Sequence, residues 1–139
     1  MQEQTDNSSN LLADLKEKAL TEPVASFLGT TLVELSYGYA KVKMMVNSEY
    51  VNFNGWIFGG IIMSLADQAF AYASNSVTTP NIASQFNIHF IAGAKVGDEL
   101  TAECRVIKNG RRVCISEITV VNHEEKLIAR ATGTTIPVS

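Results

Sequence analysis

Between Gly59 and Ser76 the chain reads GGIIMSLADQAFAYASNS, a helix-length stretch that is mostly apolar and carries one charged side chain, Asp67. On a helical wheel Ile61, Ile62, Met63, Leu65, Ala66, Ala69, Phe70, Tyr72 and Ala73 fill an arc of about 200°. A helix that apolar has to be covered on most sides. The remaining stripe holds Gly60, Ser64, Asp67, Gln68, Ala71, Ser74 and Asn75, with no Lys, Arg or Glu. A wholly solvated face normally carries several charges, so two readings stand open. Either Asp67 lies on an ordinary wet face, or the stripe meets a partner subunit with Asp67 at or beside a cleft.

The rest of the chain supplies the cover. TTLVELSYG and YAKVKMMVN read as two strands around the turn-prone Tyr37-Gly38. In the second, Ala40, Val42, Met44 and Val46 alternate with Lys41, Lys43 and Met45, which makes one face apolar. After the helix, Thr78, Thr79 and Pro80 break the pattern. Four strand-like segments follow: ASQFNIHFIAG, DELTAECRVIK, RRVCISEITVVN and KLIARATGTTIPV. The middle two form a hairpin around Asn109-Gly110. Short connections predict a mainly antiparallel sheet. The fold class is therefore α+β, a curved sheet wrapped around one long central helix. Residues 1–9 read as a fraying tail, Ser9 or Asn10 as the cap of a short helix through LLADLKEKAL, and Pro23 as the start of a second that Gly29 ends. This divides the chain into a tail and short helix over 1–22 and a main domain over 23–139.

Composition narrows the function. At 139 residues the chain suits one domain that needs neither metal nor disulfide to hold its core. Net charge is −3, and only Lys108, Arg111 and Arg112 cluster, which argues against nucleic acid. No stretch reaches the eighteen or so apolar residues of a membrane span. The N-terminal MQEQTDNSSN holds no Lys or Arg and does not read as a signal peptide. Cys104 and Cys114 form no CxxC pair and have no histidine cluster beside them, so reduced thiols, no metal and a cytoplasmic setting are expected. Charged residues make up 18% of the chain, a sparse share that fits self-association.

At the helix start, Gly59 and Gly60 leave backbone N–H groups at a positive helix end, where a substrate oxygen can approach and be polarised. Asn52, Gly55, Phe58-Gly59-Gly60 and Leu65-Ala66-Asp67 followed by Ala69 together resemble the hotdog-fold acyl-CoA thioesterases, most closely the PaaI-like group. Further features at Phe90, Gly97-Asp98, Gly110-Arg111 and Ala129-x-x-Thr132-Gly133 extend the resemblance over about residues 23–137.

The resemblance implies a homodimer or dimer of dimers with sites shared between subunits. It implies that Asp67 is the catalytic carboxylate, as base or nucleophile, that the Gly59 N–H polarises the thioester carbonyl, and that Asn52 positions water or thioester. Asp67 would come from one subunit, Asn52 and Gly59 from the other. Lys108, Gly110 and Arg111 fall where members contact coenzyme A, with Arg112 beside them. Gln85 and Phe90 fall on a site-lining strand, and Gly60 and Gln68 flank the catalytic positions. Coenzyme A enters as part of the substrate, and no separate cofactor is implied.

One position departs from the pattern: the family's histidine before Gly-Gly is Phe58, which cannot hydrogen-bond. In the family that histidine orients the active-site loop and its Asn. The departure leaves open whether Asn52 is held differently, through backbone contacts, whether Phe58 lines an acyl pocket or activity is low, and whether the chain binds acyl-CoA without turning it over. A hotdog dehydratase is disfavoured, since no histidine stands near the helix start. The reading carried forward is hydrolysis of an aromatic or medium-chain acyl-CoA.

Overall fold

The computed structural model describes the backbone of residues 2–138 and the side chains of residues 9–138. The backbone is helical from Gln2 on, so the expected tail over residues 1–9 is not seen in the described part, and Ser9 and Asn10 lie inside the first helix and do not cap it. Helix α1 is assigned over Gln2–Leu20 and α2 over Pro23–Leu28. Pro23 starts α2 and Gly29 ends it at φ 68°, in the left-handed region that glycine enters without strain. Leu12, Leu15 and Ala19 of α1 pack against the core.

Six strands follow the expected order: β1 (Thr30–Ser36), β2 (Tyr39–Met45), then after helix α3 (Gly59–Val77) β3 (Asn81–Phe90), β4 (Glu99–Asn109), β5 (Cys114–Val121) and β6 (Leu127–Pro137). They form one sheet in the order β1-β2-β4-β5-β6-β3, and every neighbouring pair is antiparallel. β1 and β3 are its edges. The alternation read in β2 holds, with Ala40, Val42, Met44 and Val46 all buried.

The sheet curls around α3. Leu65, Ala66, Ala69 and Ala73 are fully buried, and the Phe70 ring lies on Gly133 of β6. The wheel reading needs correction at several positions. Gln68 and Ser74 are buried, while Met63 is exposed together with Asp67 and Ala71. Gln68 turns inward because its amide has partners on both sides. Its Nε2 donates to Glu22 Oε1, and its Oε1 accepts from Thr30 Oγ1 at 2.8 Å. Ser74 is satisfied inside its own helix, donating to Phe70 O at 2.8 Å. The open row of α3 is thus Met63, Asp67 and Ala71, with half-buried Gly59 at its start, spaced four residues apart along one ridge.

The β4–β5 hairpin also differs in detail. The strands end at Asn109 and resume at Cys114, and the Gly110 N–H closes the turn on Val113 O at 2.9 Å. Gly110 is not among the positive-φ glycines, so a two-residue Asn-Gly turn is not what joins these strands. A register shift between Val106 and Lys108 absorbs the difference.

A Cβ added at Gly133 would come within 2.6 Å of the Phe70 ring. Gly133→Ala should therefore lower stability by about 1–3 kcal/mol through overpacking, read as a lower urea midpoint at unchanged slope. An unchanged midpoint would mean that the helix does not rest on β6 at this point.

Candidate active site

Strand register separates the candidate residues into two ends and a middle. β3 runs from Asn81 to Phe90, and Phe90 packs against Gly59 at the start of α3. Asn52, Phe58, Gly59, Gly60 and Phe90 lie at this end. β4 runs away from it, so Lys108, Gly110, Arg111 and Arg112 at the β4–β5 turn lie at the opposite end, near where α3 finishes. Asp67 and Gln68 sit mid-helix, and Gln85 sits mid-strand, exposed on the β3 edge beside a register shift.

Asp67 lines a 190 Å³ pocket between α2 and α3. Val24, Leu28 and Ala71 give it apolar walls, and Ser64, Glu22, Gln68 and Tyr72 give it polar ones. Glu22 Oε1 accepts from both Gln68 Nε2 and, at 3.2 Å, the Tyr72 hydroxyl. Burial pushes the Tyr72 hydroxyl above its ordinary range, with the Glu22 charge adding to it. Burial also raises the Asp67 carboxyl above its ordinary range, and it is the sole cause of that shift. None of Glu22, Ser64 and Tyr72 is among the site candidates read from the sequence. No spacing signals Glu22, which the chain brings in only by turning at Pro23.

Gly59 lines a second pocket, of 270 Å³, with Ile57, Ile62, Phe90, Ile91, Ala92 and Gly93. Phe58 occupies the N-cap position and makes no side-chain cap bond. A Ser, Thr, Asp or Asn there would take up one of the first helical N–H groups. Phe58 takes up neither the Gly59 nor the Gly60 N–H through its side chain, and its ring lies on Gly60, where an added Cβ would meet it at 2.6 Å.

Asn52 is seated by its own loop. Its Oδ1 accepts from the N–H groups of Asn54 at 2.9 Å and Trp56 at 3.2 Å. Its own N–H donates to Trp56 O at 2.7 Å, and its carbonyl accepts from Gly55 N–H at 3.0 Å. Gly55 closes this ring at φ 81°. Residue 58 takes no part through its side chain. Both lone pairs of Oδ1 are engaged, so the amide has only its Nδ2 donors to offer a ligand.

In one chain the three catalytic candidates do not converge. Gly59 and Asp67 are eight residues apart on one helix, about 12 Å along its axis. They line separate pockets.

Known proteins place this arrangement. Residues 54–129 match the family model described as the thioesterase superfamily. The acyl-coenzyme A thioesterase PaaI of Escherichia coli is 36% identical over 109 residues, covering 78% of this chain and 78% of that protein. The chain belongs to the thioesterase superfamily, in its PaaI-like group. The structure of the E. coli PaaI protein superposes with a TM-score of 0.83 at 32% identity, covering 90% of this chain and 96% of that one. The hotdog fold is thereby established. The protein smu.793 of Streptococcus mutans, solved bound to acetyl CoA, superposes with a TM-score of 0.77 at 27% identity over 79% of this chain and 89% of that one. Human acyl-coenzyme A thioesterase 13 is 27% identical over 107 residues, covering 75% of this chain and 76% of that protein. Among the described residues, no helix is long and apolar enough to cross a membrane.

The Asn52 geometry makes a separable prediction. Asn52→Asp keeps an acceptor for the Asn54 and Trp56 N–H groups and removes the donors. Asn52→Ala removes both and should cost about 1–2 kcal/mol in urea unfolding, whereas Asn52→Asp should stay near wild type. Equal losses in the two variants would mean that the loop does not depend on Oδ1.

Proposed function

We propose that this thioesterase hydrolyses an aromatic or medium-chain acyl-CoA at a site shared between two copies of the chain. Asp67 of one copy acts as base or nucleophile. The Gly59 N–H of the other polarises the thioester carbonyl, and Asn52 donates from its amide. The supporting observation is the 12 Å or so between Gly59 and Asp67 on one helix, since a carbonyl cannot lie about 3 Å from both. A two-fold axis passing near Met63, the midpoint of the pair, would set two α3 helices antiparallel with Gly59 of one level with Asp67 of the other. The exposed Met63–Asp67–Ala71 row is the face such a contact would cover. The dimer, and a dimer of dimers beyond it, belong to the same reading.

The chemistry follows from the parts. Thioester hydrolysis needs a base or nucleophile and a donor for the developing oxyanion. A desolvated Asp67 is a stronger base than one in water. A pocket of 190 Å³ is large enough for one aromatic ring, given that an apolar cavity of about 150 Å³ holds benzene. The alternative, a protein that binds acyl-CoA without turnover, rests on Phe58. It is weakened because Asn52 is held without that side chain.

The deciding experiment mixes two inactive variants. Asp67→Asn lacks the carboxylate, and Gly59→Pro lacks the N–H while keeping a residue suited to a first helical position. Each alone should lose about 10²–10⁴-fold in kcat on phenylacetyl- and medium-chain acyl-CoA. Refolded together they should recover roughly a quarter of wild-type turnover, because half of the dimers are mixed and each mixed dimer keeps one intact site. No recovery would sink the shared site. No wild-type turnover with acyl-CoA still bound would favour the binding protein.

Asp67→Asn also bears on stability. The folded carboxyl titrates above its unfolded value, so the folded state binds more protons between the two, and stability falls as pH rises through that window. Removing the charge should raise Tm at pH 7, and the difference from wild type should vanish towards pH 4 and below. A variant less stable than wild type at pH 7 would contradict the desolvated site.

A further inference from the structure

At the end of the molecule where α3 begins, one cation without an ion-pair partner among the described residues sits on an aromatic ring. Lys95 lies in the loop between β3 and β4, with its ammonium 5.6 Å from the centroid of the Trp56 ring. Among the described residues the ion pairs involve Lys18, Lys41, Lys43 and Arg105, and no carboxylate comes within 4.0 Å of Lys95. The acid nearest in sequence is otherwise engaged, since Asp98 Oδ2 accepts from the backbone N–H of Lys95 at 2.9 Å.

The backbone of the loop that carries Lys95 is tied at several points. Ile91 and Ala92 donate to Ile128 O at 2.8 and 3.1 Å, Gly97 N–H donates to Val46 O at 2.9 Å, and Ile57 N–H donates to Ala94 O at 3.4 Å. Trp56 rests on Gly93, where an added Cβ would meet the indole at 2.6 Å. The ring nevertheless stays 48% exposed. Gly93 in turn lines the pocket that contains Gly59. An unpaired cation on a half-open aromatic ring thus borders the pocket that Gly59 lines.

We propose that Lys95, propped on Trp56, binds a phosphate of the coenzyme A arm on the same chain that supplies Gly59. The proposal rests on the acyl-CoA reading above. With the thioester carbonyl at Gly59, the coenzyme A arm leaves from this end of the chain. Lys108, Arg111 and Arg112 lie at the other end and reach that arm only from a second copy. Of the other cations here, Lys43 is paired with Glu99 at 3.3 Å, and Lys126 and Arg130 form no ion pair among the described residues but neither sits on an aromatic ring. An ammonium against an aromatic face keeps its charge with part of its water removed, which strengthens a charge-assisted bond to phosphate. Lysine serves here as a point charge, so no bidentate geometry is required.

Trp56 is the only tryptophan of the chain, so its fluorescence reports on this pair directly. Desulfo-coenzyme A, which carries the phosphates and cannot react, should change that fluorescence, whereas pantetheine, which lacks them, should not. Lys95→Gln should weaken desulfo-coenzyme A binding about tenfold with Tm unchanged, and Lys95→Arg should restore most of it. In turnover, Lys95→Gln should raise KM for acyl-CoA while leaving kcat and all parameters for acyl-pantetheine alone. Wild-type affinity in Lys95→Gln, or an equal loss on acyl-pantetheine, overturns the proposal. So does a loss produced by Arg111→Gln and not by Lys95→Gln. Lys95-dependent binding of desulfo-coenzyme A without acyl-CoA turnover would sustain the phosphate site and overturn the hydrolase reading instead.

Discussion

One curved sheet cannot enclose the whole circumference of a nineteen-residue helix. Around α3 the inner face of the sheet supplies most of the cover, and α1 and α2 supply part of the rest. The small residues Ala66, Ala69 and Ala73 let the backbone of α3 approach the sheet closely, and Phe70 fills the space opposite Gly133. What remains is the ridge through Met63, Asp67 and Ala71. Its position follows from the cover. The carboxylate stands on the one row of the helix that a single chain leaves open, and packing to either side of it still removes enough water to raise its affinity for a proton.

That arrangement links fold to chemistry through helix geometry. The N–H groups proposed to polarise the carbonyl belong to the first turn of the helix, because deeper N–H groups bond within it. The carboxylate lies two turns further on, in a pocket that α2 helps to wall. Each part is well placed for its own task, and the distance between them is set by the rise of the helix.

Much of this was legible in the residues. Six strands, the central helix and its limits at Gly59 and near Ser76 follow from alternation, from helical periodicity and from the breaker at Thr78–Pro80. The family was legible as well, since the short-range spacing of Asn52, Gly59 and Asp67 carries the resemblance that the thioesterase match bears out. Long-range partnership was not. Gln68 reads as part of a polar stripe, yet Glu22 and Thr30, 46 and 38 residues away, bind both sides of its amide and draw it inward. Met63 reads as core, yet it stands partly open on the exposed ridge, at 39% exposure. Asn109-Gly110 carries a strong turn signal, but the register shift at Val106 moves the turn on to Gly110–Val113. Asn52 reads as needing an orienting neighbour, while the loop that it begins closes back on its own side chain.

The two edges of the sheet are unlike each other. Both carry a register shift, but β1 also runs beside α1, whereas Ile82, Ser84, Gln85, Asn87 and His89 of β3 stand exposed. A flanking helix is one of the usual means of blunting an edge. A ribbon with one blunted border and one open border can be extended only across the open one. Joining two such ribbons by their open borders uses up both and leaves a blunted border on each side, so growth in that direction stops at two.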